Sequence, residues 1–131
     1  MIAFEEARLA YLHGLFLSCV VMVQACVEHM LQGLFYGGGR NDLMDAPYSR
    51  LLDRARREGL LSEEEFALFE RLRQLRNPYV HFRPPGSPDS WIARAVGVEK
   101  FPEDVLVEDA RLAITALLRL CQRPPFAVPD E

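Results

Sequence analysis

One apolar stretch with helical spacing dominates the first quarter of the chain. Between residues 3 and 36, apolar side chains recur at spacings of three or four: Leu12, Phe16, Cys19, Val23, Val27, Met30 and Leu34. Side chains at these spacings lie on one face of an α-helix. The pattern predicts a single long helix over residues 3–36, ended by the glycine run at 37–39.

The middle of this predicted helix is apolar almost all the way round. Off the main stripe lie Leu15, Leu17, Val21, Met22 and Ala25. A helix of this kind must be covered on several sides. A chain of 131 residues has the length of one domain and offers few helices to do so. We therefore expect one domain over residues 1–131 and a homodimer in which a second copy covers part of the helix.

The rest of the chain contains three further helical segments. Pro47 suits a first helical turn, which predicts a helix over residues 47–58 that Gly59 ends. The next helix begins at Ser62, where Ser-Glu-Glu-Glu forms a capping box. It should break near Asn77-Pro78, because a residue before proline disfavours the helical region.

A last helix is predicted over residues 102–122, where apolar residues again have helical spacing. Residues 83–101 read as a loop that holds a short helix or a short strand at 91–98. Helices with short connections between them favour an antiparallel bundle. The expected fold is therefore all-α, an antiparallel bundle of four to five helices.

Charge and cysteine content restrict the classes of partner. The net charge is −4 and the sequence pI is about 5.4, which argues against binding nucleic acid or membranes over the whole surface. The apolar run 15–27 is short for a membrane span. Cys19, Cys26 and Cys121 lie in apolar segments, as reduced core thiols do. We expect a soluble cytoplasmic protein that does not bind membranes.

The residues around the predicted helix break carry the clearest chemical signal. Arg76 follows Leu72 by four residues and Phe69 by seven, so it projects from the apolar stripe. An arginine on that face costs desolvation unless something anionic meets it. Asn77-Pro78 favours a new helical turn. Such a kink would let the side chains of Arg76 and His81 converge.

The motif Arg-Asn-x3-His, from Arg76 to His81, resembles the Arg-x4–6-His signature of HEPN domains. The first helix is also similar to the opening helix of prokaryotic HEPN families. It carries the string Tyr-Leu-His-Gly-Leu at residues 11–15 and then Ala-Cys-Val-Glu at 25–28. The resemblance implies a fold of four or five helices and a homodimer with the motifs near its interface. In active members it also implies RNA cleavage that needs no metal.

The residue types suit this chemistry. His81 would act as general base or acid at the ribose 2′-hydroxyl or the leaving 5′-oxygen. Arg76 would stabilise negative charge on the phosphate. Asn77 would orient the backbone or donate a hydrogen bond, while Arg73, Tyr79 and Arg83 flank the motif and are candidates for substrate contact. No cofactor is expected, and no metal, because Cys26 and His29 have no second ligand pair.

Four further residues are secondary candidates. Glu28 lies opposite the main stripe, where a solvated or interface residue is the simpler interpretation. Arg50, Arg54 and Arg57 share one helix face and could bind RNA phosphates. An exposed face with an Asp53–Arg57 pair explains the same pattern.

Two functions are consistent with the sequence. The first is a HEPN-type ribonuclease, a toxin or defence component with RNA as substrate and a cognate antitoxin as partner. The second is a non-catalytic HEPN-like module that binds a nucleotide, RNA or a protein. Toxin members of the family often continue the motif with a tyrosine that is modified. Arg83 stands at that position here, so this mode of regulation is not expected.

Overall fold

The computed structural model describes residues 2–80, 87–88 and 91–122, and the regular structure in these ranges is entirely helical. The chain is therefore an all-α helical bundle, as expected. The described α-helices number six, where the sequence predicted four or five. They are α1 (Ile2–Leu12), α2 (Phe16–Gly37), α3 (Tyr48–Arg57), α4 (Glu63–Val80), α5 (Trp91–Gly97) and α6 (Pro102–Cys121), with a 3-10 turn at Asn41–Leu43.

The prediction of one helix over residues 3–36 is wrong, because the chain turns at Gly14. This glycine has a φ of +74°, a left-handed conformation that side chains other than hydrogen disfavour. The backbone N–H of Leu15 donates to the carbonyl of Ala10 at 2.8 Å and closes the end of α1. Helix α1 then packs against α2. Leu12, predicted to face inward, is 64% exposed because it lies at this turn.

Helix α2 is the central helix, and it packs against α1, α3, α4 and α6. The expectation that it needs cover on several sides is confirmed. By length and composition it could also cross a membrane, but here it is the core helix of the bundle. Helix α6 presents alanines to the core, and these small side chains leave little bulk between packed helices. We call the buried apolar residues of α2 and α6 the apolar seam: Cys19, Val20, Val23, Val27, Leu31, Phe35, Val105, Ala110, Ala113, Ala116 and Leu117.

Helix α4 begins as predicted and ends later than predicted. The N–H of Ser62 donates to Glu65 Oε1 at 3.1 Å, and the N–H of Glu65 donates to Ser62 Oγ at 3.1 Å, which confirms the capping box. The predicted break at Asn77-Pro78 is wrong, since the helix continues to Val80. Proline removes one backbone hydrogen bond from a helix. The packing of α4 against α2, α3 and α6 outweighs that loss.

The segment that could have been a helix or a strand is helix α5. It packs against α6. Arg94 Nη2 donates to Asp109 Oδ2 of α6 at 2.5 Å, and Asp109 is buried. Ala95 is buried beside this ion pair on the same helix. A paired buried charge of this kind fixes one helix on another, since removing one partner would leave the other uncompensated.

Candidate functional site

Polar side chains from three helices meet on the part of the core around α2, α3 and α4. We call them the polar layer: Gln24 and Glu28 of α2, Tyr48 of α3, and Glu70, Arg73 and Arg76 of α4. Gln24 and Glu28 are four residues apart and share a helix face. Glu70 and Arg73 are similarly placed on α4, and Arg76 follows one turn later. Tyr48 enters from α3 directly after Pro47.

Arg76 is held by an amide from the middle of α2. Gln24 is 1% exposed, and its side-chain oxygen accepts from Arg76 Nη2 at 2.5 Å and from Nε at 2.9 Å. The amide is oriented in this way because a guanidinium has only donors to offer. Arg76 itself is half-buried, which confirms that it projects from the apolar side of its helix. Arg76 donates from Nη2 and Nε to Gln24, and within the described ranges its Nη1 group has no acceptor.

Arg73 has a different partner, one turn earlier on α4. Its Nη2 and Nε donate to the two carboxylate oxygens of Glu70 at 2.6 and 3.0 Å. Gln74 Nε2 adds a donor to Glu70 at 3.4 Å. The hydrogen bond from Arg73 lowers the pKa of Glu70, against the opposing effect of burial. Arg73 is thus neutralised in place, although it remains within a turn of Arg76.

Arg76 differs from the other half-buried arginines by the charge of its partner. Each of the others in the described ranges forms an ion pair with a carboxylate, and they are Arg40, Arg54, Arg56, Arg73 and Arg94. Within the same ranges Arg76 pairs only with the neutral amide of Gln24. A guanidinium that is partly desolvated and lacks a counter-ion favours an anion beside it. The position is therefore suited to an anionic ligand.

Tyr48 belongs to this layer, although it is not among the residues that the sequence predicted for the site. It is 6% exposed, and its hydroxyl finds no hydrogen-bond partner in the structure that is described. Burial raises its pKa first, and the negative charges of Glu28 and Glu70 raise it further. The phenol therefore remains a neutral donor. A tyrosine or a glutamine on an otherwise apolar face is the sequence signal that could have indicated Tyr48 and Gln24.

The predicted site residues have different outcomes. Glu28 is half-buried and acts electrostatically on Tyr48, so the choice between a solvated or interface residue and a site residue stays open. Asn77 lies half-buried in the last turn of α4. The backbone of Tyr79 lies in the same turn, but its side chain is outside what the structure describes. His81 and Arg83 also lie outside the described residues, so the convergence of Arg76 with His81 stays a prediction.

The arginines of α3 are largely paired with acids in this helix or directly after it. Arg57 Nε lies 3.1 Å from Asp53 Oδ2, which confirms the predicted pair. Arg54 Nε lies 3.6 Å from Glu58 Oε1. Arg50 is exposed on this helix. Local ion pairs weaken the field that this face could offer to RNA phosphates.

The cysteines are free thiols. Burial raises the pKa of Cys19 to about 11, so it is a poor nucleophile at neutral pH. Among the residues that the structure describes, no group of three or more His, Cys, Asp and Glu side chains could hold a metal ion. Comparisons of the chain with protein-family models, curated proteins and solved structures found no match.

Proposed function

We propose that this protein is an endoribonuclease of the HEPN type, with Arg76 and His81 in its active site. The observation that carries the proposal is the state of Arg76. Its guanidinium is half-buried and held on two N–H groups by Gln24, and it has no carboxylate partner among the described residues. It lies in the penultimate turn of α4, five residues before the motif histidine.

The proposed reaction uses groups that the motif supplies. The ribose 2′-oxygen attacks the adjacent phosphorus while His81 accepts the hydroxyl proton. The bond from phosphorus to the 5′-oxygen breaks, and a protonated histidine returns a proton to that oxygen. Arg76 donates hydrogen bonds to the phosphate oxygens as their negative charge increases. Asn77 and the flanking Arg73, Tyr79 and Arg83 would contact the RNA.

The proposal includes a homodimer, so that two copies of His81 serve as base and acid. Its support is an exposed apolar surface at the turn between α1 and α2, formed by Leu12, Leu15 and Leu17. Burying such a surface in a dimer removes apolar area from water. A toxin or defence role in the cytoplasm, with a cognate antitoxin as partner, completes the proposal.

A second candidate function is a non-catalytic module that binds a nucleotide, RNA or a protein. The observation that favours it is the use of Arg76 inside the bundle. Two of its N–H groups already satisfy the buried Gln24 amide, and this hydrogen bonding also serves stability. An arginine with that role could bind an anion without any reaction.

The test compares RNA cleavage by the wild type, Arg76→Ala and His81→Ala. Each variant should lose on the order of 100-fold or more in rate, as when a group that stabilises transition-state charge is removed. Arg71→Ala is the matched control, because Arg71 is exposed on the same helix. Circular dichroism checks that every variant is folded, and a chelator should leave the cleavage unchanged. If the folded wild type leaves mixed RNAs intact, the nuclease proposal fails, and RNA binding without cleavage supports the module.

A further inference from the structure

Gln24 is the residue that holds Arg76, and its position in α2 is a costly one for a glutamine. It is 1% exposed, and Val20, Val23 and Val27, which surround it on the same side of the helix, are buried as well. A buried amide loses its hydrogen bonds to water and the freedom of a long side chain. A leucine would fill similar space and need no partner. A role beyond packing is therefore expected for this amide.

The hydrogen bonds of this amide fix one edge of the Arg76 guanidinium. One oxygen accepts from both Nη2, at 2.5 Å, and Nε, at 2.9 Å. Two contacts to one planar group set its orientation as well as its position. Because Gln24 belongs to the core helix and Arg76 is half-buried on α4, the guanidinium is held in place before any ligand arrives. A cation fixed in advance needs no reorganisation when negative charge develops beside it.

The neutrality of the amide is its second relevant property. One turn earlier on α4, Arg73 donates through the same two nitrogens, Nη2 and Nε, to the carboxylate of Glu70 at 2.6 and 3.0 Å. The same edge of the guanidinium is held in both pairs, but Glu70 is a counter-ion and Gln24 is not. A phosphate that approaches Arg73 has to compete with this carboxylate. At Arg76 it meets a charge that no carboxylate compensates within the described ranges.

Resting on the proposed function, we propose that Gln24 is the positioning residue of this site, whose neutral amide fixes the Arg76 guanidinium and leaves its charge to the RNA phosphate. Gln24 is buried and does not itself contact the RNA. It acts through Arg76 in two ways, by holding its orientation and by adding no counter-charge. Substitutions that remove one of these properties and keep the other test each of them separately.

Gln24→Glu keeps the length and shape of the side chain and gives Arg76 a carboxylate partner. The new pair should resemble Glu70 with Arg73, so we expect a melting temperature equal to that of the wild type or higher. Binding of a short fluorescent RNA, measured by anisotropy on the His81→Ala background, should weaken about 10- to 100-fold, as when a hydrogen bond to a charged group is lost. The kcat/KM for RNA cleavage should fall by a similar factor. A glutamine with only a structural role would not lose binding while the fold stays equally stable.

Gln24→Met removes the acceptor and adds no charge. Arg76 then keeps its charge and loses its fixed orientation, so kcat should fall about 10- to 100-fold, as expected when a catalytic group is misplaced. RNA binding should change much less than in Gln24→Glu. The rates are measured well below the melting temperature of every variant, so that a lower stability does not reduce the amount of folded enzyme.

Gln32→Glu is the matched control. Gln32 is half-buried on the same helix, eight residues after Gln24, which is about 12 Å along α2. The control adds the same negative charge at a separation greater than the Debye length of physiological salt, which is about 8 Å. It should leave RNA binding and cleavage unchanged.

The outcomes separate this inference from the proposed function. If the wild type cleaves RNA and both Gln24 variants bind and cleave equally well, the inference is overturned and the nuclease proposal stands. If Gln24→Glu melts far below the wild type, a carboxylate does not pair with Arg76 at this position, and the inference is overturned as well. If the wild type binds RNA without cleaving it, the nuclease proposal fails. Weaker binding by Gln24→Glu then supports the inference, and equal binding overturns it. If the wild type neither cleaves nor binds RNA, both fail.

Discussion

The two sides of helix α2 use different physics. Helix α2 packs against α6, and the apolar seam consists of their buried apolar side chains, such as Val23, Val27 and Ala113. Gln24 directly follows Val23 in the sequence and belongs to the polar layer. Its side-chain oxygen accepts hydrogen bonds from Arg76 of α4. Both sides are buried. The seam is stabilised by non-directional burial of apolar area, whereas the layer is stable only if each polar atom finds a partner.

This difference indicates that the fold gives up stability in the polar layer and not in the apolar seam. Apolar residues could stand in place of the polar layer around α2. The core there would then contain no polar atoms that need hydrogen-bond partners. The layer instead holds a charge at Arg76 and an orphaned hydroxyl at Tyr48. Polar groups held in this way at a cost to stability are typical of binding and catalytic sites. We therefore expect mutations in the seam to affect folding, and mutations in the layer to affect function as much as folding.

The largest effect on stability is expected in the seam. Leu117→Ala removes a side chain that is 3% exposed and should lower the free energy of unfolding by about 2–5 kcal/mol. Its neighbour Leu118 is 56% exposed, so Leu118→Ala should change it by less than about 0.5 kcal/mol. Urea unfolding of both variants makes the comparison. Equal losses would mean that α6 does not present this face to the core.

An intermediate effect is expected when the layer is made apolar one side at a time. Gln24→Leu leaves the guanidinium of Arg76 without its acceptor and should cost about 1–3 kcal/mol. The double variant Gln24→Leu with Arg76→Met removes both partners and should recover most of that loss, because matched apolar replacements of a polar pair are often nearly neutral. A double-mutant cycle in urea measures the coupling. Additive losses would contradict the hydrogen bonding between these two side chains.

The smallest effect is a pH dependence within the layer. The pKa of Glu70 is lowered in the folded chain by its hydrogen bond from Arg73, so the pair stabilises the fold above the unfolded pKa and stops doing so as pH falls through the folded one. Glu70→Gln should therefore cost up to about 1 kcal/mol at pH 7 and lose this penalty in acid. Thermal unfolding of the wild type and Glu70→Gln, at pH 7 and in acid, measures this penalty.

Glu64→Gln is the control for that measurement. Glu64 is on the same helix, and its side chain is almost fully exposed beside Arg119. The substitution should change stability by less than about 0.5 kcal/mol. A penalty for Glu70→Gln that persists unchanged in acid would show that its origin is packing and not charge.

Local sequence signals predicted the local structure well. Side-chain chemistry within one or two turns was enough to predict three features. They are the capping box at Ser62, the start of α3 after Pro47 and the span of α6. The two errors in helix boundaries had a common cause. A glycine or a proline can either end a helix or remain within it. Packing outside the segment decides which of the two occurs. Gly14 turned the chain so that α1 could pack on α2, while Pro78 stayed helical because α4 is packed on three other helices.

The candidate site was predicted only in part. The position of Arg76 on the apolar side of its helix followed from its distance to Leu72 and Phe69, and the structure confirms it. Gln24 and Tyr48 were missed because nothing in their own neighbourhoods links them to Arg76. His81, the other half of the predicted pair, lies outside the described residues.

By itself, the sequence determined that this chain is helical and which face of α4 carries Arg76, because helical periodicity is a property of neighbouring residues. Only the tertiary structure decided that Arg76 meets a neutral amide and not a carboxylate. Gln24 and Arg76 lie on α2 and α4, which are far apart in the sequence and are brought together only by packing. No local sequence pattern could therefore predict this pair. The same packing left the Tyr48 hydroxyl without a partner among the described residues. The charge and the amide from which we infer a function are therefore products of the fold.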